Sequence, residues 1–538
     1  MSIFFNYDNP ICNECNSPSV FSFDPSILSL KELLLYELKH ISYYILKLSE
    51  FSVDTTKERD KVINFISLVF VNLDFKRSEF NNIIEDIKGI RKNLEKVYLD
   101  YCKAHGTTFQ PLKPSYDLSA DKIDIISAIG EGERQAILKN TILSKTKKTL
   151  YEVMMSLIKT TCLYLVEIEN YGEKCDEAKD AVIRLLNTTN FPSTGDDKWI
   201  AKVNDFVKVA HNVMKQLRGI FTEQYGPITE KEVSLDLKQG NAILVSGHFL
   251  RDLEDILKAT QDQGINVYTH NDMMVAHSLD RISSYPNLAG HYHMPSHNIQ
   301  MDFASFPGAI LITKNSQPLM DIIRGRIFTL DDHSAFGMSK IKNNDFGPII
   351  QAARDSAGFK KDIHLGKMTV GYNRENVLAK TREIIQKVQN NEIKHLFIVD
   401  LVNQYQVKDP YIETLLDMIP NDSYTISLSF KRQRENIWHI DSYYGYSLFY
   451  LIMDEITSKF NQDELNRVSL FLTQCNMQTI THILDVKNMG INSIYLGNCC
   501  PTAVNPSLIK GLDEMFDVRY IKGNPIKDLE DILNKGNE

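Results

Sequence analysis

Histidines and cysteines carry most of the chemistry that the chain's residue types and spacings could support. The stretch GHYHMPSH supplies His291, His293 and His297, with His270 and His277 just upstream in THNDMMVAH. A His-x-His pair followed by a third His is metal-ligand spacing, and neutral imidazole suits zinc, copper, nickel or iron. The segment reads as a polar loop, where histidines are ordinarily solvated, so a single transition metal is the sharper of two readings. Near the start, ICNEC places Cys12 and Cys15 as C-x2-C, and the next cysteine is Cys102. A [4Fe–4S] cluster needs four thiolates. The pair therefore reads as spare or remnant cysteines, or else as half of a zinc or cluster site completed by a second copy. His248, after NAILVSG, sits where a buried strand ends and reads as a hydrogen-bonded core group.

Other motifs are excluded by what they lack. AIGEGERQ has no Lys-Ser/Thr for a P-loop, no G-x-G-x-x-G follows a strand, and no G-x-S-x-G elbow occurs. The basic run KRQRE (Lys431–Glu435) reads as a solvated turn, and YYGY (Tyr443–Tyr446) as helix packing.

The elements that must position these groups are helices first, then alternating strands and helices. At 538 residues, 43% hydrophobic and 24% charged, the chain is globular and long enough for several cores. A net charge of −9 argues against a nucleic-acid surface. No uncharged apolar run reaches membrane-span length, and the start has no basic n-region. Eight cysteines give no disulfide framework, so a reduced, cytoplasmic setting is expected.

Apolar residues recur at helical spacing from Ser29–Phe51, with Ser29 placed as the cap, through Ile200–Thr222. From Gly240 short continuous apolar runs take over: NAILVSG, GINVYTH, GAILITKNS, KMTVGYN, HLFIVD, YTISLSF, SIYLGN and VRYIKG. Such runs alternating with helices predict parallel sheets covered on both faces. The expected architecture is multidomain α/β: a helical bundle over residues 1–235, then Rossmann-like domains over 236–366 and 367–538.

The stretch Gly240–His277, GNAILVSGHFLRDLEDILKATQDQGINVYTHNDMMVAH, closely resembles a signature of the hybrid cluster (prismane) proteins. DFGPIIQAARDSAGF and IPNDSYTISLS extend the likeness. The resemblance implies a helical domain and two Rossmann-like domains, as in carbon monoxide dehydrogenases. It also implies an iron–sulfur–oxygen cluster held by one His, two Glu and four Cys. Carried over residue by residue, the family's GHDLKDL reads GHFLRDL, keeping His248. Its THGEM reads THNDM, giving Asp272, one methylene shorter than Glu. TSNC reads TKNS, placing Ser316. The persulfide Cys of a GGCDG-like turn falls on Val402 in HLFIVDLVNQY, which also lacks the glycines. The ACGK Cys falls on Phe430 in LSFKR, the QCND Cys on Ser442, and the WFEQK Glu on Asn476, with its Lys on Gln478.

One ligand is identical, one is conservative, and five lack the required chemistry. Val402 and Phe430 cannot coordinate, and Phe430 reads as a plug for an emptied cavity. The resemblance thus implies an inherited fold with a dismantled centre. The expectation is a pseudoenzyme with no cofactor, acting with a protein partner, either a larger assembly or a cluster-bearing paralogue. The alternative is a divergent hydroxylamine or nitric oxide reductase with an altered metal centre.

Overall fold

The computed structural model describes residues 25–71, 77–112, 125–136, 143–292, 299–314, 325–331, 338–401, 410–472, 479–497, 506–521 and 523–535. Its strands are β1 (Lys231–Ser234), β2 (Ala242–Ser246), β3 (Asn266–His270), β4 (Leu288–His291), β5 (Ala309–Ile312), β6 (Ile327–Thr329), β7 (Met338–Lys340), β8 (Lys367–Val370), β9 (His395–Val399), β10 (Ser423–Ser427), β11 (Ile437–His439), β12 (Val468–Leu472), β13 (Ser493–Leu496) and β14 (Val518–Tyr520). Two compact units emerge, one containing Ser17–Leu217 and Lys314–Asn343, the other Arg218–Thr313 and Asn344–Glu538.

The first unit is a bundle of long helices plus the parallel pair β6–β7. Helix Pro25–Ser49 buries Leu30, Leu33, Leu34, Leu38 and Ile41, the i, i+3/i+4 stripe of the sequence. Ser29 is not its cap. The helix begins at Pro25, whose missing N–H and fixed φ suit the first turn, and Ser29 is buried inside it. Helix Ile125–Gln135 contains the glycines of AIGEGERQ. A Cβ at Gly132 would lie 1.7 Å from the Ser29 carbonyl oxygen, so that glycine permits close helix packing, not phosphate binding. A buried Arg91–Glu37 pair (2.5 Å) joins helices Arg77–His105 and Pro25–Ser49.

The second unit carries two parallel sheets. In the first, β4, β3, β2 and β5 lie side by side in that order, and the second runs β11–β10–β9–β12–β13–β14. All five residues of β2, β9, β10 and β12 are buried, as continuous apolar runs covered on both faces require. Each sheet starts at a central strand, grows outward to one side, then jumps to the other. The switch points lie between β2 and β5 and between β9 and β12.

KMTVGYN departs from expectation. Its strand β8 joins no parallel sheet but pairs antiparallel with β1, Val233 opposite Met368. At the quiet stretch Phe359–Lys367, where the expected domain boundary falls, Phe359 bridges Gly240 and Ile363 bridges Leu237. Between YTISLSF and SIYLGN, where the sequence reads as two helices, the structure also places the buried strand β12.

Candidate functional site at the carboxyl ends of the sheets

Doubly wound sheets bind ligands beyond the carboxyl ends of their strands, at the switch point. β2 ends at Ser246, Gly247 makes the turn, and helix Leu250–Thr260 follows. His248 lies in that turn, and its backbone N–H and that of Phe249 both donate to Thr313 Oγ1 (3.1 and 3.4 Å), the residue after β5. The first switch point is thereby closed by one hydroxyl. The His248 residue is half-buried, but its Nε2 is out of solvent contact, and burial lowers its pKa to about 4.

Beside it lies a buried polar chain. Ser246 Oγ is 2.9 Å from His270 Nδ1, and His270 Nε2 is 3.1 Å from Asp302 Oδ2. The three residues are 6%, 1% and 6% exposed. A carboxylate only accepts, so Nε2 carries the proton toward Asp302 and Nδ1 accepts the Ser246 hydroxyl. Thr269, on the opposite face of β3, bridges His277 Nε2 and His291 Nδ1, each at 2.7 Å. Its single proton can serve only one of them, so the other imidazole must donate to it. Burial, with Lys231 nearby, lowers the His277 pKa to about 4.

His291 therefore corrects the reading of a solvated histidine loop. It ends β4, is fully buried and turns inward to Thr269. His293 and His297 lie outside the described residues, as do Cys12, Cys15, Ser316, Val402 and Asn476. The backbone of Asp272 lies in the 3₁₀ segment Asn271–Ser278 that follows β3.

The second sheet presents a different surface. Phe430, just past β10, is 3% exposed within an apolar cluster containing Phe397, Val399, Ile412, Leu415 and Ile437. Its backbone N–H donates to Ser427 Oγ (3.1 Å), and that hydroxyl donates to the Phe430 carbonyl (2.6 Å). Ser442 is buried and donates to the Gly371 carbonyl at 2.6 Å. Only the last residue of the YYGY run packs as part of a helix: Tyr443 pairs with Thr369 and Gly371, Gly445 caps helix Tyr446–Lys459, and Tyr446 in its first turn stacks on His482. KRQRE is no free turn either. Arg434 donates to the Leu416, Asp417 and Ile419 carbonyls, closing helix Pro410–Met418, while Arg432 pairs with Glu413 and Asp417.

Two turns keep a conformation that their sequence no longer advertises. Asn271 (φ 55°) and Asp400 (φ 67°) stand where the resembled motifs have glycine, and both are left-handed. Asn and Asp are the residues that tolerate that region best. Asp400 is fully buried at the end of β9, its N–H donating to the Phe471 carbonyl of β12 at 2.7 Å.

A hybrid cluster needs thiolate donors. Phe430 offers carbon, and the Ser442 hydroxyl is committed to a backbone carbonyl, so these described positions do not fit such a group. Among the described residues no group of three or more His, Cys, Asp or Glu is placed to hold a metal ion.

Fold and site define a class: a helical unit joined in sequence to two doubly wound parallel sheets. The Prismane/CO dehydrogenase family matches residues 15–428, and the chain belongs to it. It is 26% identical to a hydroxylamine reductase of Thermodesulfovibrio yellowstonii over 97% of this chain and 98% of that protein. Hydroxylamine reductases of Acidiphilium cryptum (26%; 94% of each chain) and Gloeothece citriformis (25%; 97% and 98%) are similar over their lengths. Among solved structures, an alpha subunit of an acetyl-CoA synthase/carbon monoxide dehydrogenase with NiZn[Fe4S4] and NiNi[Fe4S4] clusters aligns with TM-score 0.44. The identity there is 10%, covering 95% of this chain and 83% of that one.

Ser246, Thr269, Asp302, Thr313 and Asp400 escape sequence reasoning. For all but Asp302, which lies in helix Ile299–Ser305, the one signal is a polar residue at or just past the end of an apolar strand, a position buried if the strand is central.

Proposed function

We propose that this chain is a family member without the hybrid cluster, retained as a cytoplasmic structural or protein-interaction component. Its partner on this reading is a larger assembly or a cluster-bearing paralogue. The observation that carries the reading is Phe430. By the resemblance Phe430 stands at a thiolate position, and its phenyl ring, buried among Phe397, Val399 and Ile412, offers no donor there. Ser442, tied to Gly371, supports it. Among the described residues no helix is long and apolar enough to cross a membrane, which agrees with an aqueous location without specifying one.

A second reading is a divergent hydroxylamine reductase-type redox enzyme with an altered metal centre. It is favoured by full-length likeness to proteins named hydroxylamine reductase. Iron and acid-labile sulfide measured on protein purified without oxygen separate the two. Absence of iron from a folded chain is the expected result. Several irons per chain with a broad visible charge-transfer band would return the redox reading to first place.

A further inference from the structure

Helices Tyr446–Lys459 and Thr479–Asn488 are joined through a buried phenol. Tyr450 Oη lies 2.6 Å from His482 Nδ1 and 3.0 Å from Asp485 Oδ2. The three residues are 2%, 1% and 0% exposed. A phenol has one proton to donate, so the two neighbours compete for it, and the shorter contact assigns it to Nδ1. A purely structural network would need only these bonds. Two further contacts bear on what this phenol can do. The Arg218 guanidinium carbon stands 4.3 Å from the centroid of the Tyr450 ring, over its face. A cation there resists positive charge on the ring, so an electron can leave only together with the hydroxyl proton. The half-buried Tyr446 ring stacks on the His482 imidazole at 4.4 Å and 17°, which links the buried pair toward the surface through aromatic contact. Burial opposes a charge on His482, the Asp485 carboxylate favours it, and Arg218 opposes it.

We propose that Tyr450 is a redox-active tyrosine that gives one electron to diffusible one-electron oxidants while His482 holds its proton. The O–H bond breaks, the electron passes to the oxidant, and the proton moves to Nδ1. The products are the oxidant reduced by one electron, a neutral phenoxyl radical, and an imidazolium whose Nδ1–H donates back to the phenoxyl oxygen. One electron from a small reductant such as ascorbate, with return of the proton from Nδ1, restores the phenol. Burial keeps the radical from coupling with a second one, so it persists. Asp485 acts on the charge of His482 and is a positioning residue. The site uses none of the positions that the resemblance assigns to the cluster, so it stands or falls independently of the iron measurement above.

The test mixes the full chain with hexachloroiridate(IV), an outer-sphere one-electron oxidant, and freezes it after increasing delays for electron paramagnetic resonance. The wild-type chain is expected to give a persistent tyrosyl signal with an exchangeable proton coupling that heavy water removes. Labelling histidine alone with heavy nitrogen should alter its nitrogen coupling, a signature that a structural hydrogen bond in an inert phenol would never produce. The signal should vanish in Tyr450→Phe, and its lifetime should fall at least tenfold in His482→Gln, both at unchanged circular dichroism. Absence of a persistent tyrosyl signal in the folded wild-type chain, or a signal without histidine nitrogen coupling, would overturn the proposal whatever the variants do. So would a signal undiminished in a folded Tyr450→Phe, or a lifetime indifferent to a folded His482→Gln.

Discussion

The two sheets of the second unit end in opposite ways. At the first, strand ends meet through hydroxyls and imidazoles: Ser246, Thr269, His270, His291 and Thr313, all buried and hydrogen-bonded. At the second, Phe430 joins an apolar cluster and Ser442 closes onto a backbone carbonyl. The topology is the same, so the difference lies in how each crevice is satisfied. A polar crevice keeps its groups available to a ligand, because each hydrogen bond can be exchanged for another. An apolar one has nothing to exchange. Any chemistry left at the strand ends is therefore expected at the first sheet, while the second acts as the support.

The largest effect should come from removing that support. Phe430→Ala leaves a cavity in a closed cluster and is expected to cost about 3–5 kcal/mol in denaturant unfolding. Phe430→Cys, although it restores the thiol, should also destabilise and should add no iron. Iron uptake by that variant would break the comparison. At the first sheet, His270→Leu removes the imidazole partner of the Ser246 hydroxyl and of the Asp302 carboxylate. A loss of about 2–3 kcal/mol is expected. Near-zero change would mean that the polar crevice is hydrated, not tightly bonded.

Acid should act on buried imidazoles in both units. Burial lowers His395 and His482 to about 4 and His40 to about 3, the last also by Arg91 and Lys39. Asp485 opposes the shift at His482, and Arg218 adds to it. Because the unfolded chain takes up these protons near its ordinary value of about 6.5, it binds more protons than the fold below that pH. Stability is thus fully present above 6.5 and declines as pH falls toward 4. Urea midpoints that stay flat across that window would contradict the burial of these rings.

Much of this architecture is legible in the sequence. AILVS, HLFIV and SYTIS are unbroken apolar runs, and each is a buried parallel strand. What is not legible depends on partners far away in the chain. KMTV reads like another parallel strand because nothing local says that it pairs antiparallel with Lys231–Ser234. RVSLFL hides its strand behind the helical spacing of the residues before it. His291 reads as loop because its polar neighbours mask the short strand Leu288–His291, whose register brings it to Thr269. The family motifs identify His248, but only the pairing of β2 with β3 reveals that Ser246 meets His270.

Ser442→Ala should cost about 1–2 kcal/mol, since it leaves the Gly371 carbonyl without its donor. A Cys at that position, as in the resembled motif, is expected to recover only part of the loss, a thiol being the weaker donor.

The smallest effect should be a gain. Asp400 holds φ 67° at the end of β9, a conformation that costs a side chain about 1 kcal/mol and glycine almost nothing. Asp400→Gly therefore trades relief of that strain against whatever the buried carboxylate contributes. If the second sheet is support alone, the carboxylate has no task beyond the fold, and the variant should melt at or slightly above the wild-type temperature. Asn271→Gly (φ 55°) makes the matching change at the first sheet. The two variants compared at equal strain isolate the side chains. Stabilisation of both would mean that the turns keep only their shape. A clear loss at Asp400 alone would give the second sheet a polar role that Phe430 does not suggest, and would blur the contrast between the two strand ends.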